Sequence, residues 1–289
     1  MNFILGIAIV AICLLGGFWM MGGHIFVLWQ PFEYLIILGA AIGTFMIGNT
    51  MKIVKEAGKA MMEAILESMP KPKDYVDVLA LLFVLLREMK AKTKSEMEAH
   101  IDGPNESEIF RGYPTVLKNT ELVTFICDYC RLVLIGSARP HEIESLMEEE
   151  IETIMRDKLK VYNAITTMSD ALPALGIVAA VLGVIHAMGA IDQPPEVLGE
   201  LIGSALVGTF AGILFSYGIF GPLSAKIKTV REKKVRIYMI VKQTIIAFMN
   251  GSMPQVAVEH GRKAVSAYER PTANELEQAT IDAASRKAA

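Results

Sequence analysis

Apolar residues gather into four long runs, and the stretches between them mix apolar and charged positions at helical spacing. The runs cover approximately residues 3–21, 34–51, 172–191 and 201–221. A helix needs about 20 mostly apolar residues to cross the hydrocarbon core of a bilayer, so each run predicts a membrane-spanning helix. The first run has no basic segment before it and no small-residue cleavage pattern, which favours a retained helix over a secretory signal.

The polar stretches predict helices as well. In "DYVDVLALLFVLLREMK" the apolar residues recur at three- and four-residue intervals, as in an amphipathic helix: Val76, Leu79, Leu82, Phe83 and Leu86. Glycine and proline in "IDGPNESEIF" and "GYPTVLKN" indicate turns between helices. The run "LMEEEIETIMRDKLKVY" predicts a long helix that continues into the third span. Strand-like alternation is scarce, so we expect an all-α polytopic membrane protein with four transmembrane helices and a helical cytoplasmic domain.

This pattern divides the chain into four parts. Residues 1–51 hold the first two transmembrane helices, and residues 52–170 form the cytoplasmic helical domain. Residues 171–222 hold transmembrane helices three and four, and residues 223–289 form a cytoplasmic C-terminal helix and tail. The C-terminal helix is predicted to end at Asn250-Gly251, because glycine readily adopts the left-handed conformation found after a helix end.

The distribution of basic residues predicts the orientation in the membrane. Residues 51–170 hold sixteen lysines and arginines, residues 223–289 hold the other twelve, and the short connections between the paired spans hold none. Cytoplasmic segments of membrane proteins carry the excess of positive charge. We therefore expect both polar segments, and both termini, on the cytoplasmic side.

Composition and motifs narrow the class of function. The chain is 53% hydrophobic, with a mean hydropathy of +0.41 and a net charge of −3, which argues for a membrane protein and against a nucleic-acid partner. It has no G-x-x-x-x-G-K-[ST] phosphate loop, and no further ligands complete a metal site around Cys127 and Cys130. An intramembrane protease built on Ser204 and His186 is an alternative, but no G-x-S-x-G motif surrounds that serine. We therefore expect no catalytic residue and no metal.

Small residues recur at every fourth position in the third and fourth spans. Such stripes let helix backbones approach closely in a membrane, where lipid gives no hydrophobic drive for association. They suit packing of the two spans against each other or against helices of other subunits, and the sequence leaves both possibilities open. The stripes are Ala179, Gly183 and Ala187 in the third span, and Ser204, Gly208, Gly212 and Ser216 in the fourth.

The same two spans contain no Asp, Glu, Lys or Arg. If ions cross here, another chain must supply the carboxylate that binds them. Thr209 is the best candidate for a polar residue that lines the path. A threonine bonded back to its own helix is an equal alternative. His186, near the outer end of the third span, fits an interfacial histidine or a proton relay.

Two prolines bracket this pair of spans. Pro173 is predicted to lie in the first turn of the third span, after a cap at Ser169-Asp170, where its missing N–H costs little. Pro222 interrupts a pattern that is helical on both sides, which predicts a kink at the cytoplasmic membrane surface.

Several motifs resemble those of the MotA and PomA family of flagellar motor stator proteins. From Ala205 the chain reads A-L-V-G-T-F-x-G-x-L, followed after seven residues by Pro222. The segments "LPALGIVAAVLGVIHAMG", "NESEIF", "LMEEEIE" and "VAVEHGRKAVSAYERP" also match, so the likeness covers nearly the whole chain. The resemblance implies a stator subunit that forms a proton-conducting complex with MotB and converts ion flow into torque on the rotor.

The resemblance also implies an assembly. In the family, a pentamer of this subunit in the bacterial inner membrane surrounds two copies of MotB, whose transmembrane helix brings the proton-carrying aspartate. Contact with the rotor protein FliG transmits the movement.

Site residues are implied by position. Pro173 and Pro222 would couple protonation to movement, and Thr209 would line the ion path. The rotor-facing charges correspond to Lys90 and Glu98. The family typically has arginine where this chain has Lys90, and a lysine lacks the bidentate geometry of a guanidinium; Arg87, one helical turn earlier, is a candidate to compensate.

The resemblance bears on the coupling ion as well. Sodium-driven relatives place a threonine hydroxyl in the third span where this chain has Ala180. A sodium ion needs oxygen ligands, so alanine predicts a proton as the coupling ion and no other cofactor. The alternatives are a proton-driven subunit of the ExbB and TolQ type, which serves an outer-membrane process, and a membrane scaffold without ion flux.

Overall fold

The computed structural model describes residues 2–285, and within them every regular element is a helix. This confirms the predicted all-α fold with four helices long and apolar enough to cross a membrane. The α-helices are α1 (Asn2–Met20), α2 (Pro31–Gly48), α3 (Met51–Ile65), α4 (Pro72–Ala91), α5 (Lys94–Asp102), α6 (Glu108–Arg111), α7 (Pro114–Leu117), α8 (Thr120–Ile135), α9 (Pro140–Met188), α10 (Pro195–Ile213), α11 (Gly221–Met249), α12 (Pro254–Lys263) and α13 (Ala273–Ser285). A short 3₁₀-helix covers Ile25–Leu28, and a π-helical segment covers Leu214–Phe220.

The chain forms two compact units. One comprises Met1–Ser68 and Lys158–Arg231, and the other comprises Met69–Asp157 and Glu232–Ala289. We call them the apolar unit and the polar unit. The four-part division made from the sequence stays a prediction.

The apolar unit contains the four apolar runs. No residue of Phe3–Met20 is buried, so α1 presents apolar side chains all round, as a helix surrounded by lipid does. The helix α10 packs against α2, and a small core joins them to α9. It consists of Ile37, Ala41, Leu172, Ala179 and Ala211.

A second cluster in the apolar unit fixes α3. Ala57, Ala60 and Ala64 form one buried face of that helix, against residues of α9 and α11. On α11 the Arg231 guanidinium is buried, and its Nη2 lies 2.8 Å from Glu56 Oε1 and 3.5 Å from Glu63 Oε2 of α3. A buried arginine needs such partners, because an unpaired charge in a protein interior is costly.

The polar unit is built around α4. The predicted apolar positions Leu79, Leu82, Phe83 and Leu86 are buried, and Val76 is half-buried. Every other residue from Val78 to Leu86 is buried as well, so the prediction that only one face of this helix is buried is wrong. The cause is distant in sequence, since α12 and α13 both pack on this helix. A second prediction is corrected in the same unit, because the expected turns "IDGPNESEIF" and "GYPTVLKN" contain the one-turn helices α6 and α7. The predicted end at Asn250-Gly251 is confirmed, as α11 stops at Met249 and Gly251 has φ +92°.

The two cysteines of α8 provide a test of this packing. Cys127 and Cys130 are free and buried, and burial raises the pKa of each thiol from about 9 to about 12. The reactive thiolate fraction therefore falls about a thousandfold. We expect both cysteines to resist iodoacetamide at pH 8 in the folded protein and to react fully after denaturation, as measured by mass spectrometry. Rapid labelling without denaturation would show that α8 is not buried in this way.

Candidate functional site

Two helices of the apolar unit meet at glycines. A Cβ atom added at Gly212 of α10 would lie 2.7 Å from the carbonyl oxygen of Leu172 and 2.8 Å from the Cα of Gly176, both on α9. A Cβ added at Gly176 would lie 2.8 Å from the carbonyl oxygen of Gly208. Real Cβ atoms do not approach backbone so closely, so only glycine allows these helices to touch. The small-residue stripes, which the sequence left without a partner, face each other within one chain.

The contact continues along both helices. A Cβ added at Gly183 would lie 2.7 Å from the Cβ of Ala205, and one at Gly208 would lie 3.3 Å from the backbone nitrogen of Ala180. The structure thus brings Ala180, a predicted ion-path residue, to the contact between the helices. Thr209, the other predicted ion-path residue, directly follows Gly208.

Thr209 is half-buried, and its hydroxyl makes no hydrogen bond to another residue in the part of the chain that the structure describes. Thr44 of α2 differs, because its hydroxyl donates to the carbonyl oxygens of Ala40 and Ala41, each at 3.0 Å. The sequence left open whether Thr209 bonds back to its own helix, and in this structure it does not.

A carboxylate that sequence reasoning missed also reaches this contact. The predicted second span began at residue 34 and left Glu33 in the connection before it, but α2 begins at Pro31 and places Glu33 in its first turn. Glu33 is only 8% exposed. Its Oε1 lies 3.3 Å from the position that a Cβ atom would take at Gly183, and its Oε2 lies 3.0 Å from the corresponding position at Gly208. The signal in the sequence was a proline at the first helical position followed by an acidic residue.

The predicted start of the third span is wrong. The helix α9 runs without a break from Pro140 to Met188, so Pro173 lies in its interior and not in a first turn. Ser169, expected to cap that turn, instead donates its hydroxyl to the carbonyl oxygen of Ser216 at 3.1 Å. Pro173 has no N–H to offer the carbonyl of Ser169, which leaves one backbone acceptor of α9 without its helical partner.

The sequence predicted a kink at Pro222, and the structure has a π-helical segment just before that proline. Pro222 is exposed at the second position of α11, and the chain is helical on both sides of it. The π-helical segment Leu214–Phe220 comes directly before, and the Gly221 N–H bonds to the carbonyl oxygen of Ser216, five residues back. A π turn holds one residue more than an α turn and is common at functional sites. The local change in geometry therefore precedes the proline.

The predicted rotor-contact residues lie in the polar unit. Lys90 is exposed in the last turn of α4, and its Nζ lies 3.2 Å from the Met253 sulfur. Glu98 lies on α5, which follows α4 directly in the chain, with one of its oxygens 4.0 Å from Lys94 Nζ. The Arg87 guanidinium lies 5.9 Å from the centre of the Phe83 ring. An ion pair between largely exposed side chains, such as Glu98–Lys94, is weak, so Lys90 and Glu98 are available to a partner. Arg87 is half-buried, and its guanidinium lies 3.4 Å from the buried carboxylate of Glu88.

His186 and the cysteines have no place in a metal centre. His186 is exposed in the last turn of α9. Within residues 2–285, no three His, Cys, Asp or Glu side chains come together in a way that would hold a metal ion.

Comparison with known proteins identifies the family. Residues 4–93 match the Motility protein A N-terminal family, and residues 118–239 match the MotA/TolQ/ExbB proton channel family. The chain is 41% identical to Motility protein A of Salmonella typhimurium over 278 residues, which is 96% of this chain and 94% of that one, and the figures for Escherichia coli are the same. The chain belongs to the motility protein A family. It is therefore a subunit of the flagellar stator and a multi-pass inner-membrane protein of the proton channel family.

A solved structure of a related complex has the same fold as this chain. The structure of C. jejuni MotAB has a TM-score of 0.74 and 20% sequence identity, and the match covers 94% of this chain and 98% of that chain. The alternative of an ExbB or TolQ type of subunit is less supported, because the N-terminal match and the nearly full-length relatives are motility proteins.

Proposed function

We propose that this chain surrounds the transmembrane helices of MotB and forms with them the proton path of the stator, so that proton flow is converted into torque. The observation that carries the proposal is the glycine contact between α9 and α10. These two helices pack backbone to backbone around Gly176 and Gly212 and contribute no charged side chain of their own between residues 172–191 and 201–221. A path built in this way needs a carboxylate from MotB.

The path itself would run along Thr209 and Ala180. Ala180 lies at the contact between α9 and α10, Thr209 directly follows Gly208 of that contact, and the Thr209 hydroxyl makes no hydrogen bond within residues 2–285. A hydroxyl can hold a water chain for proton hopping, whereas the methyl group of Ala180 offers no oxygen ligand to sodium. The coupling ion in this proposal is a proton, and no cofactor takes part.

The test uses purified complexes with MotB in vesicles without sodium. We expect the wild-type complex to take up protons, and Thr209→Ala to lower the rate about fivefold, since one lost hydrogen bond to the water chain is worth about 1 kcal/mol. Thr44→Ala is the matched control, because that hydroxyl already bonds to its own helix. Equal rates for Thr209→Ala and wild type would remove Thr209 from the path. Proton uptake that required sodium would reject the choice of ion.

Pro173 and Pro222 would couple protonation to movement. Pro173 has no N–H to donate within α9, and Pro222 follows a π-helical segment, so both helices depart from regular α-helical hydrogen bonding next to the path. A scaffold without ion flux would need neither, and it would keep full swimming speed in Pro222→Leu cells.

The assembly around this path is also part of the proposal. Five copies of the chain would surround two MotB helices, with both termini in the cytoplasm on the side of the basic residues. The rotor protein FliG would contact the polar unit at Lys90 and Glu98, with Arg87 supplying the guanidinium that relatives place at the position of Lys90.

A further inference from the structure

Glu33 is an intramembrane carboxylate without a partner. It is only 8% exposed, and its Oε2 makes no hydrogen bond within the described residues. The side chain is aimed at the glycine contact between α9 and α10, where its two oxygens lie 3.3 and 3.0 Å from Cβ positions at Gly183 and Gly208. Any larger residue at either glycine would crowd the carboxylate, so the two small residues make the space that Glu33 occupies.

No cation on the surrounding helices balances this carboxylate. The other titratable groups of α2 itself, of α10 and of α9 from residue 172 onward are Tyr34, Glu196, Glu200 and His186. His186, Glu196 and Glu200 are exposed, and the Tyr34 hydroxyl donates to the carbonyl oxygen of Leu28. The 3₁₀-helix Ile25–Leu28 contains no titratable side chain, and His24 before it is exposed. Within the described part of the chain, a negative charge on Glu33 would therefore stand alone.

An isolated ionised carboxylate is costly in a low-dielectric interior and is normally paired or neutral. Ionisable residues inside membrane segments are rare for this reason, and they mark the routes of ions and protons. The backbone nitrogen of Ala180 lies 3.3 Å from the position that a Cβ atom would take at Gly208, one of the glycines that face Glu33, and Thr209 is the next residue after Gly208. The carboxylate thus lies beside the proposed proton path and not on a separate face of the bundle.

We propose that Glu33 is a second proton-binding site of the stator, supplied by this chain and placed where α2 meets α9 and α10. The inference rests on the proposed function. The carboxylate binds one proton at an oxygen and becomes a neutral carboxylic acid; when it releases that proton toward the path, the carboxylate is restored and no other bond changes. Glu33 would hold a proton on the side of the path near the start of α2, and the acid of MotB would be the next acceptor.

Infrared spectroscopy tests proton binding directly. Complexes would be purified with a MotB whose titrating aspartate is replaced by asparagine, so that the signal of that acid is absent. We expect the carbonyl band of a protonated carboxylic acid at neutral pH, lost in Glu33→Gln and shifted in Glu33→Asp. Glu200→Gln is the matched control, since Glu200 is an exposed carboxylate of α10, and it should leave the band unchanged.

Proton flux provides the second readout, with MotB intact. Glu33→Gln should lower proton uptake into vesicles about tenfold or more, Glu33→Asp should retain most of it, and Glu200→Gln all of it. A Glu33→Gln complex that assembles and conducts like wild type would overturn the proposal. So would a spectrum without the protonated band, which decides the matter even if Glu33→Gln fails to assemble. A wild-type complex that conducts no protons would reject the proposed function instead, while the infrared band would still report on Glu33.

Discussion

Replacing Gly212 by alanine is expected to destabilise the apolar unit strongly and to abolish motility. The added methyl group would lie 2.7 Å from the Leu172 carbonyl oxygen and 2.8 and 3.1 Å from the Cα and nitrogen of Gly176. All three are backbone atoms, so no flexible side chain can move aside and the two helices must separate. Overpacking of a core costs about 1–3 kcal/mol even where side chains can adjust. We expect Gly212→Ala to lower the free energy of unfolding by about 3 kcal/mol or more, out of a total of about 5–15 kcal/mol.

Gly199→Ala is the control for this experiment. Gly199 lies on the same helix, and a Cβ atom there would meet nothing within 4 Å. Thermal unfolding of the purified proteins in detergent, together with swarming on soft agar, measures both effects. If Gly212→Ala unfolds at the same temperature as Gly199→Ala, the close approach of α9 and α10 does not exist in the membrane.

The second large effect is expected from Arg231→Ala. The guanidinium is 5% exposed and pairs with Glu56 and Glu63. Removing it leaves two carboxylates next to each other, partly buried and without their cation. Loss of one partner of a buried ion pair costs about 3–5 kcal/mol, whereas an exposed pair is worth at most about 1 kcal/mol.

Arg156→Ala provides that exposed comparison, because Arg156 pairs with Glu152 at 2.9 Å and both side chains are largely exposed. The free energy of unfolding in denaturant should fall several times further for Arg231→Ala than for Arg156→Ala. A triple variant that also carries Glu56→Gln and Glu63→Gln should recover part of the loss. Equal losses in the two arginine variants would contradict the buried network on α3.

Features that depend on a short stretch of chain were predictable from the sequence. The four spans follow from local composition, the continuous helix into the third span follows from its periodicity, and the end of α11 follows from one glycine. The small-residue stripes were visible, although their partner was not. That partner required knowing which face of α9 meets which face of α10.

The residues that were missed depend on contacts between distant segments. Glu33 fell outside the predicted second span because its burial comes from α9 and α10, about 150 residues later in the chain. The second buried face of α4 likewise depends on α12 and α13. Pro173 was misplaced for another reason, since Ser169 and Asp170 resemble a helix cap until the serine hydroxyl is seen bonded to Ser216. A local pattern identifies a possible hydrogen bond, and tertiary structure decides which one forms.

The wide turn at Leu214–Phe220 fixes the rotational phase of everything that follows it. Each residue of an α-helix advances about 100° around the axis, and the π-helical segment accommodates one residue more than regular winding would. Arg231 points at Glu56 and Glu63 with that additional residue in place. A chain shortened by one position within this segment would return to regular winding and leave Arg231 in place, whereas the same deletion in the regular part of α11 before Arg231 would rotate that side chain by about 100°.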